Sequence, residues 1–177
     1  MMATVFRSHS GATLVELVIT IVILGIAIVP LTMALSFSAS HSADSMIEVK
    51  VIELGQAYIE EVLSKRYDDN SAQGGAPPCS AAGVPCGIIG AEAGETRALF
   101  DDVDDYHGVD DSPPLDSLGI PRPGYDRFRV EVEVRYSDAS EVAAYGLDST
   151  ADAKKILVRV HPPSGTAVTF DVYRSNF

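Results

Sequence analysis

Apolar and polar positions divide this chain into stretches with different periods. From Ala12 to Ser36 almost every position is apolar, and no side chain between Leu17 and Leu35 is charged. A helix from Ala12 to Leu35 would be roughly 36 Å long at about 1.5 Å per residue, enough to cross the core of a bilayer. From Ala43 to Arg66 the period becomes that of an amphipathic helix. Ile47, Val51, Leu54, Tyr58 and Val62 recur every three or four residues, and Ile52, Ile59 and Leu63 widen the stripe. Glu61 stands four positions before Lys65, a favourable helical pair. Lys65 and Arg66 suit a helix end before Asp68-Asp69-Asn70. Residues 70–123 keep no period. Ser71–Gly94 is rich in Gly, Ala, Pro and Ser, and Ala91–Phe100 has room for a helical turn.

The last third alternates. Phe128, Val130, Val132, Val134 and Tyr136 are separated by Arg129, Glu131, Glu133 and Arg135, the pattern of a half-buried strand with a charged outer face. Ile156–Val160 reads as a second strand. After the turn at Pro162-Pro163-Ser164-Gly165, Val168, Phe170 and Val172 line a third that forms a hairpin with it. An antiparallel sheet with one wet face needs an apolar cover on the other, and the stripe on Ala43–Arg66 can supply it. The predicted class is α+β: a long N-terminal helix whose outer, amphipathic half packs on a small antiparallel sheet, in a ladle shape. The expected segments are 1–11, a polar leader; 12–36, an apolar span; 37–67, the amphipathic half of the helix; and 68–177, a globular domain containing loop 70–123. Pro30, with Gly25 five residues earlier, predicts a kink or local loosening within the apolar half.

Charge and thiols sharpen the picture. Net charge is −12. Residues 1–11 hold one charged residue, Arg7, and residues 12–36 hold one, Glu16, so the excess acid lies downstream. Such a domain repels nucleic acid and anionic lipid and suits cations or a basic partner. A positive flank before an apolar span favours the cytoplasmic side, which sends the rest outside the membrane. The apolar run is longer than a secretory signal core of about 7–15 residues, and such a signal has no use for an acid at its start. Cys79 and Cys86 flank a Pro/Gly-rich segment and read as a disulfide in an oxidising compartment. The loop is short, so closing it removes only about 2–3 kcal/mol of chain entropy.

Gly11-Ala12-Thr13-Leu14-Val15-Glu16-Leu17 resembles the cleavage and assembly signal of type IV prepilins and type II secretion pseudopilins: a glycine, then Thr-Leu-Ile/Val-Glu at the start of an apolar helix. The residue after Gly11 is Ala12, where that family usually has an aromatic. The resemblance implies cleavage after Gly11 by a prepilin peptidase, N-methylation of Ala12, and a role for Glu16 in meeting a neighbouring subunit's amine within an apolar filament core. An unpaired buried carboxylate is unfavourable enough to drive that register. In the isolated subunit, Glu16 would instead lie at the headgroup level.

A narrower resemblance covers most of the chain. Glu95–Gly108, with its Phe-Asp-Asp-Val-Asp-Asp-Tyr-His-Gly run, resembles the MSHA pilin protein MshD family, minor pilin-like proteins of a type IV pilus. Glu53–Ala57, the cysteine pair, Gly124-Tyr125 and the Tyr173–Phe177 ending add to it. It implies a minor pilin in the inner membrane, its C-terminal domain in the periplasm, partnered by the peptidase/methyltransferase and by other major and minor pilins. A minor pseudopilin of a type II secretion system stays open, as does a membrane-anchored binding protein using its acidic loop.

Asp101, Asp102, Asp104 and Asp105 offer hard oxygens and are candidate calcium ligands, although their spacing is not that of an EF-hand. The competing reading is a set of turn caps on a solvated face. No other cofactor is implied. His107 beside Asp105 and Asp110 is the one arrangement resembling an oriented base, and no nucleophile, phosphate-loop or metal-helix motif accompanies it, so no enzyme is expected.

Overall fold

The computed structural model describes residues 13–72, Cys79 and residues 85–176, with the side chains of residues 37–44 left out. Helix α1 runs Leu14–Leu63 and includes Pro30. The chain divides after Met46 into two units.

In the first unit, the apolar side chains of Leu14–Leu35 are exposed. Hydroxyls within this part bond their own helix: Thr20 donates to the Glu16 carbonyl, Thr32 to Val29 and Ser36 to Thr32. Each of these three hydroxyls thereby donates without water, which suits an apolar solvent.

In the second unit, Val51, Leu54, Tyr58 and Val62 are buried on one face of α1, with Ile47, Ile59 and Leu63 partly buried beside them. Ile52 lies off this face and is exposed. They pack on a four-stranded antiparallel sheet in the order β1-β2-β3-β4: β1 Asp110–Asp111, β2 Arg129–Tyr136, β3 Ala153–His161 and β4 Val168–Ser175. The register aligns three apolar rows across β2, β3 and β4: Val130–Val160–Val168, Val132–Val158–Phe170 and Val134–Ile156–Val172. The alternation forces this, because a shift of one residue would turn each row to the other face. Val168 nevertheless remains exposed, at the end of a strand bonded along one edge. The outer face carries ion pairs, among them Arg159–Glu131, Arg135–Glu141 and Lys155–Asp171.

Two elements were not expected. Helix α2, Ala139–Tyr145, buries no residue, so it has no apolar stripe to read. Its ends define it instead: Asp138 and Glu141 form a capping box, and Gly146 closes it at φ 66°. Strand β1 is two aspartates that pair with Glu131 and Val130.

The described part of segment 70–123 is anchored to the core. Val103 and Tyr106 enter the core, and 3-10 turns form at Arg97–Leu99 and Asp104–Tyr106. One expected pair is replaced. Glu61 does not meet Lys65; it takes Arg97 (3.2 Å), Arg122 (3.3 Å) and the Tyr106 hydroxyl (3.0 Å). Lys65 instead donates to the Phe100 carbonyl at 2.5 Å. Glu61 lies on the packed side of α1, where a buried carboxylate needs several partners rather than one lysine.

Candidate functional site

Thr13 immediately precedes α1, and its hydroxyl accepts the Glu16 amide at 3.3 Å, while the Leu17 amide takes the Thr13 carbonyl at 3.1 Å. Thr13 is thus the N-cap, and Glu16 the third helical residue, the position of a capping box acid. An acid there also meets the positive end of the helix dipole. The Thr-x-x-Glu spacing could have shown this cap from sequence. Leu14–Ser36, with Glu16 in its first turn, forms a 23-residue segment long and apolar enough to cross a membrane, and its side chains are exposed. One carboxylate therefore stands in the first turn of an otherwise exposed apolar helix. Gly11 and Ala12, the expected processing residues, lie outside the described residues, as does the leader.

The acidic residues are placed unequally. Asp101 is exposed and pairs with Arg66. Asp102 Oδ1 accepts the amides of Asp104 and Asp105, the action of a turn cap, and burial pushes Asp102 up to about 6. Asp104 reaches across to Lys154 Nζ at 2.5 Å; Asp68 lies 3.2 Å from the same amine. Burial pushes Asp104 up to about 7 although Lys154 pulls the other way. Asp105 Oδ2 accepts the amides of Asp101 and Asp102. Glu92 and Glu95, which sequence reasoning had not singled out, converge with Asp105, their ligand atoms lying within 4.8 Å of one another. Their signal was a turn, Glu92-Ala93-Gly94-Glu95, bringing two acids to one end.

Cys79 and Cys86 are joined, with Cα atoms 5.0 Å apart. Asn176 seats the pair: its Oδ1 accepts the Cys79 amide and the Ser71 hydroxyl, and its Nδ2 faces Cys79 Sγ. His107 is exposed, and its Nδ1 accepts the Val134 amide at 3.2 Å. Asp110 is bonded to Arg129 at 2.6 Å. The ring nitrogen and both nearby acids of the oriented-base arrangement thus have backbone or ion-pair partners. Between β1 and β3 an open groove of about 320 Å³ is lined by charged residues of the sheet's outer face, including Glu131, Glu133 and Arg159.

A family model described as the prokaryotic N-terminal methylation motif matches residues 6–32, which include Gly11, Ala12 and Glu16. No curated protein and no solved structure matches the chain.

Proposed function

We propose that this type IV pilin-like chain is a minor pilin of an MSHA-type pilus, built into the filament or used to initiate it. The methylation motif supports a type IV pilin-like or pseudopilin protein, processed by a prepilin peptidase and assembled with other pilins. The observation that carries the reading further is Glu16, the lone acid at the head of an exposed apolar segment. A simple anchor gains only helix capping from that acid, which an uncharged Gln would also supply. A filament uses the charge, because a carboxylate in a low-dielectric layer is tolerated only where a neighbour's amine meets it. The chain would be held by a single span in the inner membrane, its second unit in the periplasm. The MSHA assignment rests on the resemblance of the Phe-Asp-Asp-Val-Asp-Asp-Tyr-His-Gly run to the MshD family, and a minor pseudopilin of a type II secretion system is the alternative.

The test has two parts. Intact mass of membrane-extracted protein is expected to show loss of residues 1–11 and one methyl group on Ala12, both lost on Gly11→Leu. Glu16→Leu is expected to leave cleavage and membrane residence unchanged while reducing crosslinking to other pilins in cells expressing the pilus set. Equal crosslinking of wild type and variant would overturn the role of Glu16. Partnership with secretion pseudopilins alone would replace the pilus with the secretion machine.

A further inference from the structure

Away from the apolar helix, one cluster is electrostatically incomplete. Asp105 is 2% exposed. Its Oδ2 is satisfied by two backbone amides, but its Oδ1 is buried without a donor. A buried carboxylate oxygen left that way is costly. Its neighbours add negative charge: Glu92 and Glu95 each bring a ligand oxygen, and the ligand atoms of the three residues lie within 4.8 Å of one another. The backbone enforces this approach. Gly94 turns the chain at φ 96°, the Glu95 amide donates to the Glu92 carbonyl at 3.1 Å, and the Glu92 amide donates to Glu95 Oε2 at 3.2 Å. Among the described residues, none of the three carboxylates has an ion-pair partner, and the nearby Arg66 is committed to Asp69 and Asp101.

We propose that Glu92, Glu95 and Asp105 form a binding site for one hard divalent cation, calcium. Three carboxylates that approach without a cation repel; a dication at their centre attracts each of them at shorter range than they repel one another, and so offsets that repulsion. Hard carboxylate oxygens in a partly open, adaptable site suit calcium, whereas magnesium demands a near-ideal octahedron at about 2.1 Å and gives up its waters reluctantly. Calcium takes six to eight oxygens in flexible geometry. Glu92 is exposed and Glu95 half-buried, so water has access to the open side. The site differs from the aspartate run read from sequence: of those four residues only Asp105 belongs to it. Its effect is to tie the 92–95 turn to the turn between the core residues Val103 and Tyr106, fastening part of the irregular segment to the sheet. This does not depend on filament assembly.

Full-length protein in detergent, stripped with chelator, would be titrated with calcium chloride and with magnesium chloride by calorimetry, with thermal unfolding followed in parallel. One calcium per chain is expected, with a higher unfolding midpoint and a weaker response to magnesium. The double variant Glu92→Gln/Glu95→Gln is expected to lose at least about tenfold in calcium affinity, or about 1.4 kcal/mol, and most of the midpoint shift. Asp101→Asn is expected to keep both. Glu92→Gln alone, at an exposed position, gives the same readout if the double variant folds poorly. Absence of heat and shift in wild type would overturn the proposal. So would calcium binding that survives the double variant, which would place the ion elsewhere.

Discussion

Lys154 is a charged side chain with no exposure at all. Its amine meets the Tyr67 carbonyl, Asp68 and Asp104, and lies 4.2 Å from the Tyr67 ring centroid. Arg97 is a second buried cation, between Glu61 and Asp111 and 4.7 Å from the Tyr106 ring centroid. Two cations thus fix where the irregular segment crosses the helix end. Removing one partner of a buried pair leaves an uncompensated charge, which typically costs about 3–5 kcal/mol. We expect Lys154→Met to destabilise by that order in chemical denaturation, and Lys154→Met/Asp104→Asn to recover part of it. A loss as small as that of a surface lysine would contradict the account. Neither cation was legible in the sequence. Lys154 shares the parity of Ile156, Val158 and Val160, but a lysine pair at a strand's start reads as its solvated end, and the groups that compensate the buried charge, Tyr67, Asp68 and Asp104, lie far away in sequence.

At the scale of elements, α1 approaches the sheet closely because it carries Gly55. A Cβ there would fall 2.4 Å from the Phe170 ring. Gly55→Val must push Phe170 aside or lift the helix, an overpacking cost of about 1–3 kcal/mol. We expect Phe170→Ala to cancel much of that penalty in a double-mutant cycle of unfolding free energies. Additive losses would mean that the two do not meet. What could be read at this scale followed from burial. Val51, Leu54, Tyr58 and Val62, and the alternating valines of β2, declared their periods because each period faces one core. Helix α2 buries nothing and β1 is two aspartates, so neither shows a hydrophobic period; caps with the contacts of Glu141 to Arg135 and Tyr173 hold the one, and register with β2 the other. The acidic run behaved likewise. Asp101, Asp102, Asp104 and Asp105 look equivalent in sequence, and only the three-dimensional path of the turn assigns one to an arginine, one to a lysine and one toward Glu92 and Glu95.

Over the whole molecule, two sets of acids give stability a maximum in pH. Asp110, Glu131 and Glu141 are held below their ordinary range, Asp110 and Glu141 mainly by arginine partners and Glu131 mainly by His161. Their contribution is present above the unfolded value of about 4 and is lost as pH falls through the folded values. Asp102 and Asp104 are displaced upward to about 6 and about 7 by burial. Their contribution is present below about pH 4 and is lost as pH rises toward those values. Denaturation in chelator is therefore expected to show greatest stability in mildly acidic buffer, declining on both sides. Glu141→Gln should flatten the acid limb and leave the alkaline limb unchanged. A curve that climbs steadily to pH 8 would refute the assignment of the buried pair.

Because the core joins α1 to β4, the molecule also has an order in time. The face bearing Val51, Leu54, Tyr58 and Val62 leaves the ribosome first, and Phe170 and Val172, which help cover it, come last. At about 5–20 residues per second, roughly 5–20 s separate the two. Throughout that interval two apolar surfaces lie naked, parted by the polar stretch that follows Leu35. A newborn chain thus offers chaperones two sticky tracts, and the folded one conceals the second.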